Sequence, residues 1–259
     1  MFALALWDRL ARLLFLARDR IGEQPLYWGW AGRDLVFGSE LKALRRYPDF
    51  PREICREALG LYVRYAYVPT PWSIRPGVFK LEPGCILELS GPVTAAPPTA
   101  PLRPGGSFEG LSIRRYWSLA HLVEQGAQER FTDEGEVIAA VEAALETAVS
   151  RQLIPDVQLG AFLSGGIDSS LVVALMRKVT DVPVRTFTIG FEDPAFDESP
   201  HAEAVIRHLR TEHTTLTVTE SEAREVIPNL PDVYDEPFVD PHSPRVPRSP
   251  PPRYGGAVG

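Results

Sequence analysis

Ser164, Gly165, Gly166, Asp168, Ser169 and Ser170 fall together in the run Ala-Phe-Leu-Ser-Gly-Gly-Ile-Asp-Ser-Ser, residues 161–170. Adjacent glycines let a backbone approach an anion closely, and serine hydroxyls add hydrogen bonds. A carboxylate beside phosphate needs a mediator, because like charges repel; Mg²⁺ suits both sets of oxygens. The chemistry these residues suggest is therefore phosphate or pyrophosphate binding. The run is not a Walker A loop, since no Lys follows the glycines and the spacing differs. The plainer reading is a tight turn, with Asp168 and Ser169 capping or charging a helix start.

Two flanking runs would position that turn. A mostly apolar stretch, Val157 to Leu163, stops at it, and a second one, Ile167 to Met176, starts at once with helical spacing. Strand, glycine turn and helix aim backbone N–H groups and a positive helix end at an anion. The pattern continues with strands at 184–190 and 214–218 and helices at 199–210 and 220–227. An amphipathic helix precedes it, opening at Thr132-Asp133-Glu134 with Val137, Val141, Ala144, Leu145 and Ala148 on one face. Alternating strands and helices predict an α/β, doubly wound parallel sheet, whose ligands bind beyond the carboxyl ends of the strands. Ser164 and Gly190 sit at such ends.

The first third reads differently. Apolar and aromatic runs at 2–7, 13–17, 25–28 and 35–37, with turns at Gly22 and Gly32, predict an antiparallel sheet whose first strand looks central. Ser39-Glu40 is read as capping a short helix through Leu44. A second helix is expected over about Glu53–Tyr65, and a strand over Ile86–Leu89. Residues 91–107 are rich in Pro and Gly and read as an exposed linker. The expected organisation is a domain over 1–90, a linker over 91–115, a second domain over 116–240 and a disordered tail over 241–259. Pro241 to Arg253 holds six prolines in thirteen positions, a density that no helix or central strand survives.

A formal charge of −7 argues against a broad nucleic-acid surface. Cys55 and Cys85 are too few for a disulfide scaffold and form no C-x-x-C pair, which reads as ordinary thiols in a reducing cytosol. No apolar run is long enough to span a membrane, and Asp8, Arg9 and Arg12 break the apolar start. The expected location is cytoplasmic, with small-molecule partners, no nucleic acid and no membrane; a homodimer is left open.

Several segments in order resemble glutamine-hydrolysing asparagine synthetases. The stretch Met1-Phe-Ala-Leu-Ala-Leu-Trp-Asp8 resembles the family's first matching strand. Arg18-Asp-Arg20 with Gly22 and Pro25-Leu-Tyr27 resembles its R-D-R-x-G-x-x-P-L-Y segment. Further likenesses lie at Ser39-Glu-Leu-Lys-Ala-Leu44, Arg114–Leu119, Leu163–Ser170, Phe187–Phe191, Phe196-Asp-Glu198, Thr211-Glu-His213 and Tyr234-Asp-Glu-Pro-Phe238. The resemblance implies an Ntn-type glutaminase sandwich followed by an adenine nucleotide α-hydrolase-like domain, each incomplete. It implies ATP with Mg²⁺ as cofactors, and aspartate with ammonia or glutamine as co-substrates. The reaction would pass through β-aspartyl-AMP, with release of pyrophosphate and then AMP. The loop Ser164–Ser170 would hold the pyrophosphate. Leu163 and Ile189 would sandwich adenine, their plainer reading being core packing, and Gly190 would let the nucleotide approach.

Other candidates carry their plain readings too. Asp235-Glu236 would help bind Mg²⁺ or the substrate's ammonium, or form a solvated loop before Pro237; the tentative Mg²⁺ ligands are Asp168 and Asp235. Glu212-His213 would be a pocket pair, or His213 a structural residue. Asp197-Glu198 is read as a helix start. The family's glutaminase nucleophile is an N-terminal Cys, which neither Cys55 nor Cys85 supplies, so the catalytic residues are unknown. The family's second glycine-rich motif, Ser-Gly-Asp-Gly, is not found after Asp240, and Arg210 stands where the family usually has Gly. These departures lead to the expectation of a chain truncated at both ends. The alternatives are an inactive paralogue that at most binds nucleotide, or an amidotransferase relative with another carboxylate acceptor.

Overall fold

The computed structural model describes residues 1–92, 96–153, 159–193 and 197–238. They divide into two compact units, one built from residues 1–128 with the segment that starts at Asn229, the other from Glu129–Pro228.

The first unit is antiparallel. Strands β1 (Ala3–Asp8), β2 (Leu13–Arg18), β6 (Cys85–Ser90), β8 (Leu111–Arg115) and β7 (Ser107–Phe108) form one sheet in the order β1-β2-β6-β8-β7. Strands β4 (Asp34–Gly38), β3 (Tyr27–Ala31) and β5 (Val78–Lys80) form a second, in the order β4-β3-β5. Side chains alternate along a strand, so each face collects every second residue. Trp28 and Trp30 of β3 join Leu16, Leu87, Leu89, Leu111 and Ile113 of the larger sheet in one core. Tyr27 and Ala31 point the other way. They pack with Leu41 and Leu44 of α1 (Leu41–Leu44) and Ala58 of α2 (Arg56–Tyr65) in a second core. Each fully buried Leu or Trp adds about 2 kcal/mol of burial free energy, which anchors both layers. Helix α3 (Leu119–Gly126) closes this stretch, its start capped by Ser118.

The turn after β2 is organised by two buried charges. Asp19 accepts backbone N–H bonds from Phe2, Ile21, Gly22, Glu23 and Gln24 at 2.7–3.2 Å. Burial alone would raise its pKa, but the N–H donors of Gln24, Glu23, Phe2 and Gly22 prevail and hold it at about 2. The Arg18 guanidinium donates to the carbonyls of Gln24, Leu81 and Gly22, each at 2.8 Å. The Arg-Asp pair of the R-D-R-x-G segment is thus a device for closing a turn.

Several expectations need correction here. The stretch 91–115 is not an inter-domain linker. Its described part keeps Pro98 buried, sets Leu102 against the sheet-to-sheet core and ends in β7 and β8, with β8 paired to β6. Proline density excludes helix and central strand, but it does not stop a chain from lying against a surface or recovering a strand at Leu111–Arg115. The boundary between units falls at 128–129 instead, and the segment from Asn229 rejoins the first unit rather than the second. Strand β1 is an edge strand among the described residues, with Leu4, Leu6 and Trp7 about half exposed. Helix α2 also starts at Arg56, later than Glu53.

The second unit alternates strand and helix as expected. Helix α4 (Glu134–Gln152) is capped by Asp133, whose carboxylate accepts from Glu136 N–H at 2.9 Å. Then come β9 (Gly160–Phe162), α5 (Ile167–Val179), β10 (Arg185–Phe191), α6 (Ser199–Leu209), β11 (Glu212–Val218) and α7 (Glu220–Val226). The expected strand 157–163 is described only from Leu159, positions 157 and 158 lying outside the described residues. All pairings are parallel, in the order β11-β10-β9. A doubly wound sheet needs a reversal of strand order, and these three strands run in one sense. The core holds Leu163, Val173, Met176, Val184 and Ala202, with Val149 of α4 and Leu153 just after it packed on it. The expected apolar face of α4 is used only at that end, since Val137 and Val141 are exposed. After α7 a short 3-10 turn, Ile227–Asn229, leads to α8 (Leu230–Val233). Phe196 and the proline-rich tail lie outside the described residues.

Candidate functional site

The sheet delivers the candidate turn through its hydrogen-bond ladder. Beyond β9, Leu163 N–H donates to Phe187 O at 2.8 Å, and Thr188 Oγ1 donates to Leu163 O at 2.5 Å. Leu163 is 1 % exposed and belongs to the core, so its packing reading holds for most of its surface. The chain then reverses at Gly165, whose φ of +80° is left-handed. A Cβ there would lie 2.5 Å from His201 Cβ and 2.6 Å from Ala202 N, so this glycine also seats the first turn of α6. Gly166 is the extended N-cap residue of α5 and has no side chain to cap it.

Serine hydroxyls knit the turn. Ser164 Oγ and Ser169 Oγ are 3.1 Å apart, and Ser169 Oγ accepts Ser164 N–H at 3.3 Å. Ser164 Oγ accepts Gly166 N–H at 3.4 Å. Ser170 Oγ donates to Gly166 O at 2.7 Å, back along the helix. The first-turn N–H groups of Ile167, Asp168 and Ser169 have no protein acceptor among the described residues, as at any helix start without a cap. Asp168 is exposed in that turn. The arrangement can present several N–H donors, a positive helix end and one carboxylate to an anion with its metal ion.

Beside the turn, at the carboxyl end of β9 and along the middle of β10, lies a cleft of about 300 Å³. Its apolar lining is Phe162, Phe187, Leu163 and Ile189, and its polar lining is Ser164, Thr188 and Glu198. The two phenylalanine rings are tilted, with centroids 6.5 Å apart. Gly190 does not line the cleft. A Cβ there would lie 3.1 Å from Asp197 Oδ1, so this glycine makes room for the start of α6. Asp197 accepts from Ser199 N–H at 3.1 Å and Ser199 Oγ at 2.8 Å, and these bonds hold its carboxyl below the ordinary range. Its helix-start reading therefore stands. Sequence reasoning gave Phe162 and Glu198 no cleft role and placed Phe187 only within the segment Phe187–Phe191; what joins the two phenylalanines is the parallel pairing of Phe162 with Phe187, which no local pattern reveals. His213 Nδ1 lies 2.9 Å from Thr186 Oγ1 and Nε2 lies 3.0 Å from Thr215 Oγ1; burial lowers its pKa, which fits the structural reading.

Asp235 and Glu236 belong to the first unit and are engaged there. Both Asp235 oxygens accept backbone N–H bonds at the start of α1, from Leu41 at 2.8 Å and Lys42 at 2.9 Å. The expected cap of that helix, Ser39-Glu40, makes no side-chain cap bond; a residue nearly two hundred positions away does the work. Glu236 accepts Ile74 N–H at 2.7 Å and forms a buried ion pair with Lys80, which also donates to Val68 O at 2.6 Å. Burial pushes the Lys80 pKa down and Glu236 pulls against it; burial, then Glu236, pushes the Tyr27 phenol up. Phe238 bridges to Tyr67 and meets the Tyr234 ring edge-on at 4.4 Å. The Tyr-Asp-Glu-Pro-Phe motif is thus a clasp within this unit.

No group of three or more His, Cys, Asp or Glu side chains suited to a metal occurs among the described residues. Asp235, with both oxygens committed to a helix start, does not fit the Mg²⁺ role; Asp168 does, because Mg²⁺ commonly takes one protein carboxylate and fills its shell with phosphate oxygens and water. Cys55 and Cys85 are buried; burial raises both thiols, Cys85 to about 11, so neither is poised as a thiolate nucleophile. No helix among the described residues is long and apolar enough to cross a membrane.

Comparison with known proteins finds two family matches. Residues 1–96 match the glutamine amidotransferase domain, and residues 140–245 match asparagine synthase. The chain is 33 % identical over 247 residues to a putative glutamine-hydrolysing asparagine synthetase of Methanocaldococcus jannaschii, covering 93 % of this chain and 43 % of that protein. It is 33 % identical over 248 residues to a putative glutamine-hydrolysing asparagine synthetase of Mycobacterium tuberculosis, covering 93 % and 34 % respectively. A carboxyethyl-arginine beta-lactam-synthase of Streptomyces clavuligerus is 29 % identical over 232 residues, covering 88 % and 37 %. The chain therefore spans less than half the length of each of these relatives.

Proposed function

We infer the function from a plain premise: the chain belongs to the glutamine-hydrolysing asparagine synthetase family of ligases. Its reaction is the ATP-dependent conversion of an aspartate carboxyl to an amide. The carboxylate attacks the α-phosphorus of ATP, the bond to the β-phosphate oxygen breaks, and β-aspartyl-AMP and pyrophosphate result. Ammonia, free or from glutamine, then displaces AMP. The observation that carries this reading is the turn Ser164–Ser170, where open N–H donors, a helix start and Asp168 converge beside an apolar cleft.

This chain's residues act on the leaving group. Negative charge grows on pyrophosphate as the bond breaks, and the N–H groups of Ile167, Asp168 and Ser169 are held in advance where that charge would sit. Gly165 and Gly166 keep side chains out of its way, and Ser164 and Ser169 hold the turn's shape. Asp168 would hold Mg²⁺, which when bound supplies positive charge to the polyphosphate. Phe162, Leu163, Phe187 and Ile189 offer an apolar bed for adenine. These roles include each residue of the expected set at the turn and cleft; Ser170, bonded back to Gly166 O, and Gly190, packed by Asp197, act by shaping the site.

Isothermal titration of the whole chain with MgATP tests the reading. Binding that Asp168→Ala abolishes, while the far-UV spectrum and thermal midpoint stay unchanged, is the expected result. No heat of binding from the wild-type chain, or equal affinity in the variant, would sink it. A second reading keeps the chemistry and changes the acceptor, supported by the likeness to the beta-lactam-forming synthase. AMP release with aspartate against release with a carboxyethylated amino acid separates the two.

A further inference from the structure

We propose that strand β1 is a self-pairing edge: two copies of this chain join β1 to β1, antiparallel, about a two-fold axis through Ala5, making one continuous sheet. The surface lies in the first unit and stands apart from the nucleotide reading. Among the described residues β1 is an open edge of its sheet. Its pairing with β2 runs unbroken from Ala3 opposite Arg18 to Asp8 opposite Leu13, so no bulge turns the edge away. The stretch from Ala3 to Trp7 lacks Lys, Pro and any charge, which are the usual guards against strand pairing. Leu4, Leu6 and Trp7 stand about half exposed on it. Asp8, next in line, is committed to its own turn, accepting N–H bonds from Leu10 and Ala11 at 2.9 Å.

Hydrogen-bond alternation fixes which groups of β1 are open. Asp19 N–H donates to Phe2 O at 2.9 Å, so Phe2, Leu4, Leu6 and Asp8 direct their backbone groups at β2. Ala3, Ala5 and Trp7 therefore direct theirs to the unfilled side. Their side chains share the face of Leu14 and Leu16, turned to the core between the sheets. Leu4 and Leu6 share the outer face with Phe15.

A second copy fits this pattern by symmetry. An axis perpendicular to the sheet keeps each face with itself, so a residue meets its own copy or one an even number of positions away. With the axis at Ala5, that residue meets the partner's Ala5 and Ala3 meets the partner's Trp7, and each such pair exchanges two N–H···O bonds. All the outward backbone groups of β1 are then used. An axis one residue along would set Ala3 against the partner's Arg9, or Trp7 against the partner's Met1, outside the strand. On the core face the Trp7 indole covers the partner's Ala3, a small residue, and on the outer face Leu4 packs on the partner's Leu6, with no like charges opposed. The opposite edge of the sheet is β7, only Ser107–Phe108, too short to continue the pairing, so the contact closes at two copies. One short strand on each side makes a contact at the low end of specific interfaces, below about 1,200 Å² in total, which sets a reversible dimer in the micromolar range.

Sedimentation of the whole chain across a micromolar dilution series tests the pairing, with a shift from monomer to dimer as concentration rises the expected result. Ala5→Pro removes the N–H that faces the partner from both copies and none that bonds β2, at a position where an edge strand tolerates proline. It should raise the dissociation constant about tenfold or more while the thermal midpoint of the monomer stays unchanged. Charges on the exposed outer face test the register. Leu4→Lys with Leu6→Lys, and Leu4→Glu with Leu6→Glu, should each give a monomer, because like charges then face each other across the axis. Mixed, the two variants should form a heterodimer, because each ammonium then faces a carboxylate. A wild type that stays monomeric throughout, a dimer that Ala5→Pro leaves intact, or a mixture that stays monomeric overturns the proposal. So does a growing series of larger assemblies, which would mean that no two-fold closes the contact. A monomer whose Ala3, Ala5 and Trp7 amides resist hydrogen exchange overturns it too, by showing that another segment of the same chain covers the edge.

Discussion

Acidic side chains meet opposite fates in the two units. In the first, Asp19 takes five backbone N–H bonds, Asp235 takes two, and Glu236 holds Ile74 N–H and Lys80. In the second, Asp168 stands exposed at a helix start whose N–H groups point outward without protein acceptors. All four belong to segments that resemble family motifs. What separates them is the inventory of partners: a carboxylate whose lone pairs are taken by backbone donors has little left for a ligand. A motif is thus evidence of constraint, and only the local hydrogen bonds say whether the constraint is fold or chemistry.

The largest effect should come from the clasp. Glu236→Ala leaves the Lys80 ammonium buried without its counter-charge, which costs about 3–5 kcal/mol. All five tryptophans, at 7, 28, 30, 72 and 117, lie in the first unit, so urea unfolding followed by tryptophan fluorescence reports that unit alone. A loss under about 1 kcal/mol would mean the motif is not holding the fold, and the contrast with Asp168 would collapse. Asp19 comes next and carries a pH signature. Its folded pKa of about 2 lies below the ordinary 3.8, so its stabilisation is present above pH 3.8 and is lost as pH falls toward 2. The loss should be about 2 kcal/mol for this buried group, and Asp19→Asn should remove that part of the acid slope while lowering stability at neutral pH. A slope that persists in the Asn variant would assign it to other carboxylates.

The same contrast explains what was legible beforehand. Periodicity located β2, β3, β4, β6, α5, β10, α6, β11 and α7, because alternation and helical spacing are local. The glycine turn and its neighbours at 163–170 were legible for the same reason. The clasp was not, because its bonds span up to about two hundred residues, and no local pattern says that Asp235 caps α1. The Pro-rich stretch misled because composition reports what a segment cannot form, not where it packs. The cleft's phenylalanines and Glu198 became visible only once parallel pairing set β9 beside β10.

Within the turn, the two glycines sharpen the comparison further. Gly165→Ala forces a left-handed φ on a side chain and drives its Cβ into His201 and Ala202, costing about 2–3 kcal/mol. Gly166, at φ −70°, would place a Cβ only against Ser164 Oγ at 3.4 Å, an ordinary contact, so Gly166→Ala should cost only the poorer N-cap, about 0.5–1 kcal/mol and less than Gly165→Ala. Amide exchange in α5 and α6 reads both, since residues 129–228 contain no tryptophan. If Gly166→Ala weakens MgATP binding by more than its small loss of stability explains, Gly166 serves the ligand and Gly165 serves the fold. Equal destabilisation by both would erase that division.

The smallest effect compares one structural position across both units. Ala66 ends α2 at φ 65° and Arg210 ends α6 at φ 52°, both left-handed, each donating its N–H to the carbonyl four residues back. Glycine is the usual occupant of such a helix end because a Cβ there crowds the backbone. Ala66→Gly and Arg210→Gly should each therefore gain about 0.5–1 kcal/mol, the relief of strain less the added freedom of the unfolded chain. Arg210 is exposed, so its replacement removes little packing and its gain should be the larger; half-buried Ala66 gives up a methyl contact. Tryptophan fluorescence should register the change at 66, and amide exchange in α6 the change at 210. A loss of stability at Arg210 would mean that its side chain holds the helix end through contacts that outweigh the strain, making it a support for α6 and hence for the seat of Gly165.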